Sequence, residues 1–109
     1  MPDTDEPEIQ VDEAISIVGG GGWLLDVREV AEWNSVHTPA AHLIPMSEIQ
    51  SRVDEIPDDT TVYVICHSGA RSARVAGYLR SEGLDAVNVA GGMLAWQAAG
   101  GQIAASPAT

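Results

Sequence analysis

The 109-residue chain contains no lysine, and its five arginines stand against 16 acidic residues for a net charge of −11 at pH 7. That balance excludes nucleic acid and anionic membrane surfaces as partners, because both demand basic patches. It also makes each fixed cation informative: Arg28, Arg52, Arg71, Arg74 and Arg80 are the whole set, and three of them fall within ten residues of one another. A single cysteine, Cys66, excludes an internal disulfide and a cysteine-based zinc cluster, and it fits a reducing, cytoplasmic compartment. No apolar run reaches membrane-spanning length, and the start has no secretory signal pattern. The four glycines from Gly19 to Gly22 lack the lysine and Ser/Thr of a nucleotide-binding loop, so they read as a turn. Neither a metal nor an organic cofactor is expected. The length suits one domain that folds without disulfide support.

What the chain does have is a junction at residues 61–80. Val62-Tyr63-Val64-Ile65 is a β-branched and aromatic run suited to a strand buried on both faces of a parallel sheet. Cys66 follows at the strand's carboxyl end, where open α/β sheets place their ligand sites. His67-Ser68-Gly69-Ala70-Arg71-Ser72 then supplies one glycine for an unusual backbone angle and a serine, Ser72, able to cap a helix expected from Ala73. In that helix Val75, Ala76 and Leu79 share a face, and Ala76 and Gly77 are small enough for close approach to a sheet. Loop amides and the helix dipole would converge on the Cys66 sulfur and favour thiolate over thiol. A lone cysteine is elsewhere most often a small buried hydrophobe. Here its setting points to reactivity. Arg71 opposes the helix dipole at a cost of up to about 1 kcal/mol, which suggests duty at a site rather than in the helix. His67 reads as an exposed loop residue, with general acid or substrate contact as the alternatives.

Around this junction the chain alternates short strands and helices. Residues 1–8 are acidic and proline-containing and read as a disordered lead. Asp12 would cap a helix through Val18, using Ala14 and Ile15. Trp23–Val27 reads as a strand, with Asp26 and Arg28 flanking its carboxyl end, and residues 29–35 as a short helix with Val30 and Trp33 inward. His37 would fix the next connection by hydrogen bonding. His42–Ile44 is a short strand, and Ser47 with Gln50 forms a capping box for a helix through Val53. After the Cys66 junction, Gly83 stops the helix, Ala86–Val89 is the last strand, and Met93–Ala99 is a final helix packing Leu94 and Trp96. Residues 102–109 read as a flexible tail. The expected class is α/β, with a mostly parallel central sheet and short helices on both faces.

The segment Cys66-His67-Ser68-Gly69-Ala70-Arg71-Ser72 resembles the active-site loop of single-domain rhodaneses, the thiosulfate sulfurtransferase family. Leu24-Leu25-Asp26-Val27-Arg28-Glu29 resembles that family's first signature, His37-Thr38-Pro39-Ala40-Ala41 its second, and Gly91-Gly92-Met93-Leu94-Ala95-Trp96 its closing one. Val36 and Ala40 depart from the second, which usually has glycine there. The resemblance implies a rhodanese-like domain over residues 9–101, with Asp26 and Arg28 beneath the loop as its supports. It further implies a Cys66 persulfide formed from thiosulfate or a persulfide donor and held by the loop from His67 to Ser72. An external thiol or cyanide would remove the sulfur, and a sulfur-relay protein is a candidate partner. Arg71 would hold the donor's sulfonate or orient the loop. Three other readings remain: a persulfide carrier with little thiosulfate turnover; phosphatase or arsenate chemistry, whose loops place five residues between Cys and Arg where this chain has four; and a catalytically silent interaction domain, which the presence of Cys66 disfavours most.

Overall fold

The computed structural model describes residues 7–104. Five β-branched or apolar runs form strands β1 (Glu8–Ile9), β2 (Trp23–Asp26), β3 (Ala41–Leu43), β4 (Val62–Ile65) and β5 (Ala86–Val89), in the sheet order β1-β5-β4-β2-β3. Every pairing in that sheet is parallel. The connections carry helices α1 (Val11–Gly19), α2 (Val30–Ser35), α3 (Ile49–Arg52), α4 (Ala70–Ser81) and α5 (Gly92–Ala98). The chain is thus the α/β domain expected. Among the described residues no helix is long and apolar enough to cross a membrane.

Side chains alternate across a strand, so neighbouring residues of the central strands feed two separate cores. On one face Leu25, Val27, Val62 and Val64 pack with Ile49 of α3 and Val75, Ala76 and Leu79 of α4. On the other, Leu24, Ile65 and Val89 pack with Ala14 and Val18 of α1 and Met93 and Trp96 of α5. Each such aliphatic side chain contributes roughly 1.5–3 kcal/mol. The central strands are therefore clamped from both sides, and Cys66 is carried at the end of the middle one, β4. Helix α4 stops as expected: Gly83 takes φ +88, its N–H bonds the Arg80 carbonyl, and Leu84 N–H bonds that of Leu79.

Several local expectations are corrected. Asp12 lies inside the first turn of α1, whose N-cap is Gln10, so it acts there through the helix dipole rather than as a cap. Ser72 does not cap α4. That helix begins at Ala70, three residues before the expected start, because Gly69 adopts the left-handed conformation at the N-cap position with φ +115. The Ser47–Gln50 capping box is absent: residues 46–48 form a 3-10 turn after Pro45, and Ser51 bonds the Glu48 carbonyl instead. Val30 and Leu94 are about half exposed, whereas the indole of Trp96 is buried. A Cβ added at Gly77 would meet only the Arg80 side chain and no sheet atom, so the sheet does not require a glycine there.

Val36 and Ala40 need no glycine-like geometry, since no residue other than glycine takes a positive φ among those described. His37 fixes its connection as expected, its Nδ1 bonding the Trp33 carbonyl at 2.9 Å and its ring stacking on Trp33 at 3.9 Å. At the ends, Glu8 of the expected lead pairs in β1. Gln102 and Ala104 of the expected tail are bonded to the body: the Gln102 carbonyl accepts from Trp96 Nε1 at 3.0 Å, and Ala104 bridges His37. The Pro7 carbonyl of the lead also accepts from the Asn88 N–H, and residues 1–6 and 105–109 lie outside the described residues.

Candidate active site

The parallel sheet sends β4 into the domain and ends it at Cys66, which is 1% exposed. The turn Ser68-Gly69 then reverses the chain so that α4 starts directly behind the sulfur. Gly69 N–H donates to Cys66 Sγ at 3.1 Å and the Ser72 hydroxyl lies 3.3 Å from it. Burial alone would push the thiol up. The Ser72 hydroxyl and the backbone N–H groups of Ser72, Gly69 and Ser68 outweigh that effect and hold it below its ordinary value. Of the loop residues expected at the site, Ser68, Gly69 and Ser72 direct groups at the sulfur, while the side chains of His67, Ser68 and Ala70 face solvent.

Arg71 does not lean over the sulfur. Its two terminal nitrogens each donate to the Glu32 carboxylate of α2 at 2.8 Å, a bidentate pair that links α4 to α2 across 39 residues of chain. The Arg71 guanidinium draws the Glu32 carboxyl down to about 2, and Glu32 in turn raises Arg71. Glu32 Oε1 also accepts from its own helix's N-cap amide at Glu29, so its position is set before Arg71 arrives. Sequence reasoning missed Glu32. The spacing of Glu29 and Glu32 marks a helix start, but nothing local points to a partner in another helix.

Asp26 and Arg28 form a buried pair at the end of β2. Asp26 accepts from the Arg28 backbone N–H, Nε and Nη2 at 3.0, 3.0 and 2.8 Å, and Arg28 Nη2 also reaches the Val36 carbonyl at 2.8 Å. No bond joins the pair to the Cys66 loop among those described. It pins the end of α2, and α2 holds Arg71 through Glu32, so any support it gives the loop is relayed. We expect Glu32→Gln to reproduce most of the change in Cys66 alkylation rate caused by Arg71→Ala, roughly 10-fold, because both free the same tether. Equal kinetics in wild type and Glu32→Gln would detach the pair from function.

Helix α5 closes the loop from the other side. Met93 N–H donates to the Cys66 carbonyl at 2.8 Å and Leu94 N–H to that of His67 at 3.1 Å. Gly92 makes this approach possible: its φ is +58, and a Cβ there would collide with the Cys66 and His67 carbonyls. Gly92→Ala is expected to destabilise the domain by about 1–3 kcal/mol, read as a lowered Tm in thermal melts. A cleft of about 390 Å³ beside the loop is lined by Arg28, Glu32, Ser35, His67 and Gln97, among others. A larger one of about 550 Å³ lies at the opposite, amino-terminal end of the strands, where Asp54, Glu55, Asp58 and Glu82 surround Trp23 and Leu84. Four carboxylates make that second cleft a poor receptor for an anion. Among the described residues no three His, Cys, Asp or Glu side chains group as a metal site.

A single cysteine at the mouth of a parallel sheet, cupped by the amides of a short loop ending in arginine, defines a class of α/β domain whose chemistry centres on that sulfur. Within the class, the chain belongs to the rhodanese-like domain family, whose model matches residues 10–99. It is 42% identical over 74 residues to a sulfurtransferase of Allochromatium vinosum, covering 67% of this chain and 69% of that one. It is 36% identical over 90 residues to Bacillus subtilis YrkF, a candidate sulfur carrier protein by name, covering 82% of this chain but only 45% of YrkF. Among solved structures, a rhodanese-related protein from Thermoplasma volcanium superposes with a TM-score of 0.85 at 28% identity, covering 90% of this chain and 97% of that one. These relatives carry the names of sulfurtransferases and a sulfur carrier, and the chain spans less than half of YrkF.

Proposed function

We propose that this domain moves a sulfane sulfur from a donor to an external nucleophile through a persulfide on Cys66. The observation carrying the proposal is the buried Cys66 sulfur with the Gly69 amide and Ser72 hydroxyl directed at it, since these donors stabilise a thiolate nucleophile. With thiosulfate, the thiolate attacks the outer sulfur, the S–S bond of the donor breaks, and sulfite leaves with the bonding pair. Cys66 then carries a terminal sulfur bearing one negative charge, which the amides of Ser68, Gly69 and Ser72 that act on the thiolate can solvate in turn. Cyanide or a thiolate next attacks that terminal sulfur and restores the Cys66 thiolate, giving thiocyanate or a new persulfide. The chain has no second cysteine, so the acceptor comes from outside.

A second reading is favoured by a specific contact. The Arg71 guanidinium is committed to Glu32, which leaves it a poor receptor for a sulfonate dianion, and the net charge of −11 further opposes such a donor. A persulfide donor has no sulfonate for Arg71 to hold and so avoids the first obstacle, as suits a carrier. Incubation with thiosulfate followed by intact mass measurement and cyanide-dependent turnover separates the two. A one-sulfur increment with rapid thiocyanate formation supports the transferase reading. The same increment from a persulfide donor, with negligible thiosulfate turnover, supports the carrier. No increment from either donor would overturn both.

A further inference from the structure

The Ser72 hydroxyl has one proton and three acceptors within reach: Asn88 Oδ1 at 2.6 Å, the Gly69 carbonyl at 3.2 Å and Cys66 Sγ at 3.3 Å. Asn88, on β5, is buried, and its amide is oriented by a second contact in which Nδ2 donates to the Glu8 carboxylate at 3.2 Å. Glu8 stands directly beside Asn88 in the β1–β5 register, so the two side chains share one face of the sheet. The carboxylate accepts only, so it holds Nδ2 towards itself and Oδ1 towards Ser72. In this arrangement the shortest bond takes the serine proton away from the sulfur.

We infer that Asn88 is a positioning residue that competes with the Cys66 sulfur for the single hydroxyl proton of Ser72, with Glu8 fixing the competing orientation. When the sulfur is an anion it needs that proton, and giving it up leaves Asn88 Oδ1 as a buried acceptor 2.6 Å from an oxygen with no hydrogen between them. Turning the amide would cure this only by setting Oδ1 against the Glu8 carboxylate. When Cys66 carries a second sulfur, the charge moves to the outer atom and the serine proton can return to Asn88 without loss. The Glu8–Asn88–Ser72 chain therefore disfavours the free thiolate relative to the sulfur-loaded state, and it biases the domain towards holding its cargo. The statement about loading rests on the persulfide reading; the proton competition does not.

Other titratable groups around this chain are His67 in the loop, Arg71 with Glu32, the Asp26–Arg28 pair at the end of β2, and Arg74 and Tyr78 of α4, which line a cleft with Glu8; β5 and α5 contribute no titratable side chain. None of them touches Asn88. The test is the pH dependence of Cys66 alkylation by iodoacetamide, which needs no sulfur donor and so can fail independently of the transfer proposal. Asn88→Ala is expected to move the midpoint down by about half a pH unit or more, and to have no effect in a Ser72→Ala background. Glu8→Gln, at an exposed position, is expected to move it the same way at high salt, where direct charge effects are screened, even if Asn88→Ala proves unfolded. An unchanged or raised midpoint in the variants that fold, or an Asn88→Ala shift that persists without the Ser72 hydroxyl, would overturn the inference.

Discussion

Replacing Cys66 with serine is expected to abolish sulfur transfer, by at least about 10³-fold, while leaving the fold intact. The substitution keeps the size of the side chain and its donors at Gly69 and Ser72, so the thermal midpoint should stay close to wild type. What disappears is a sulfur that ionises far more readily than a hydroxyl and forms a stable bond to a second sulfur. Thiocyanate production and the one-sulfur mass increment should vanish together, because no other cysteine can take the load. An increment that persists in Cys66→Ser would move the chemistry to another group. The pH profile of the wild type carries the same logic. The active form is the thiolate, and its amide and hydroxyl donors hold the thiol below its ordinary value, so the loading rate should rise with pH through a midpoint lower than about 8.5, the value of a free thiol. A midpoint at or above that value would mean that burial wins over the donors.

The largest loss of stability is expected from Asp26→Ala. Asp26 is fully buried and Arg28 is 2% exposed, so removing the carboxylate leaves a buried guanidinium charge with only the Glu32 and Val36 carbonyls as partners. Breaking one side of such a pair costs about 3–5 kcal/mol, which for a domain of this size lowers Tm by more than about 10 °C. The double variant Asp26→Leu, Arg28→Met is expected to recover much of that loss, since two apolar side chains carry no desolvation penalty. It should not recover sulfur transfer. Without Arg28 nothing bonds the Val36 carbonyl at the end of α2, and the helix that presents Glu32 to Arg71 loses its anchor. A double variant that regains full transfer would assign the pair to stability alone, and one that stays as unstable as Asp26→Ala would contradict the stranded-charge account.

Much of the architecture was legible before any coordinates. The β-branched run ending at Cys66, the glycine after it and the apolar period of Val75, Ala76 and Leu79 specify a strand, a turn and a helix from local preferences alone, and they appear in that order. Errors fell where a local signal had a rival of equal strength. Ser72 looks like a cap because serine usually is one, yet Gly69 can adopt a positive φ at lower cost and starts the helix earlier. That shift turns the serine hydroxyl from the helix end to the sulfur. Val30 and Leu94 are apolar residues on short helices, where periodicity over two turns cannot distinguish the inner face from the outer.

Chemical identity is a property of the residues in order: one cysteine behind a buried strand, a short loop, an arginine, and too few cations to favour nucleic acid. Each of these rests on bonding and charge within a few positions of chain, so a linear reading suffices. The partners of that machinery were decided by packing. Glu32 meets Arg71 across 39 residues, and Asn88 meets Ser72 across 16 and Glu8 across 80. Such contacts exist only because parallel strands bring distant segments to the same end of one sheet, and no spacing in the chain encodes where two buried polar groups will share a proton.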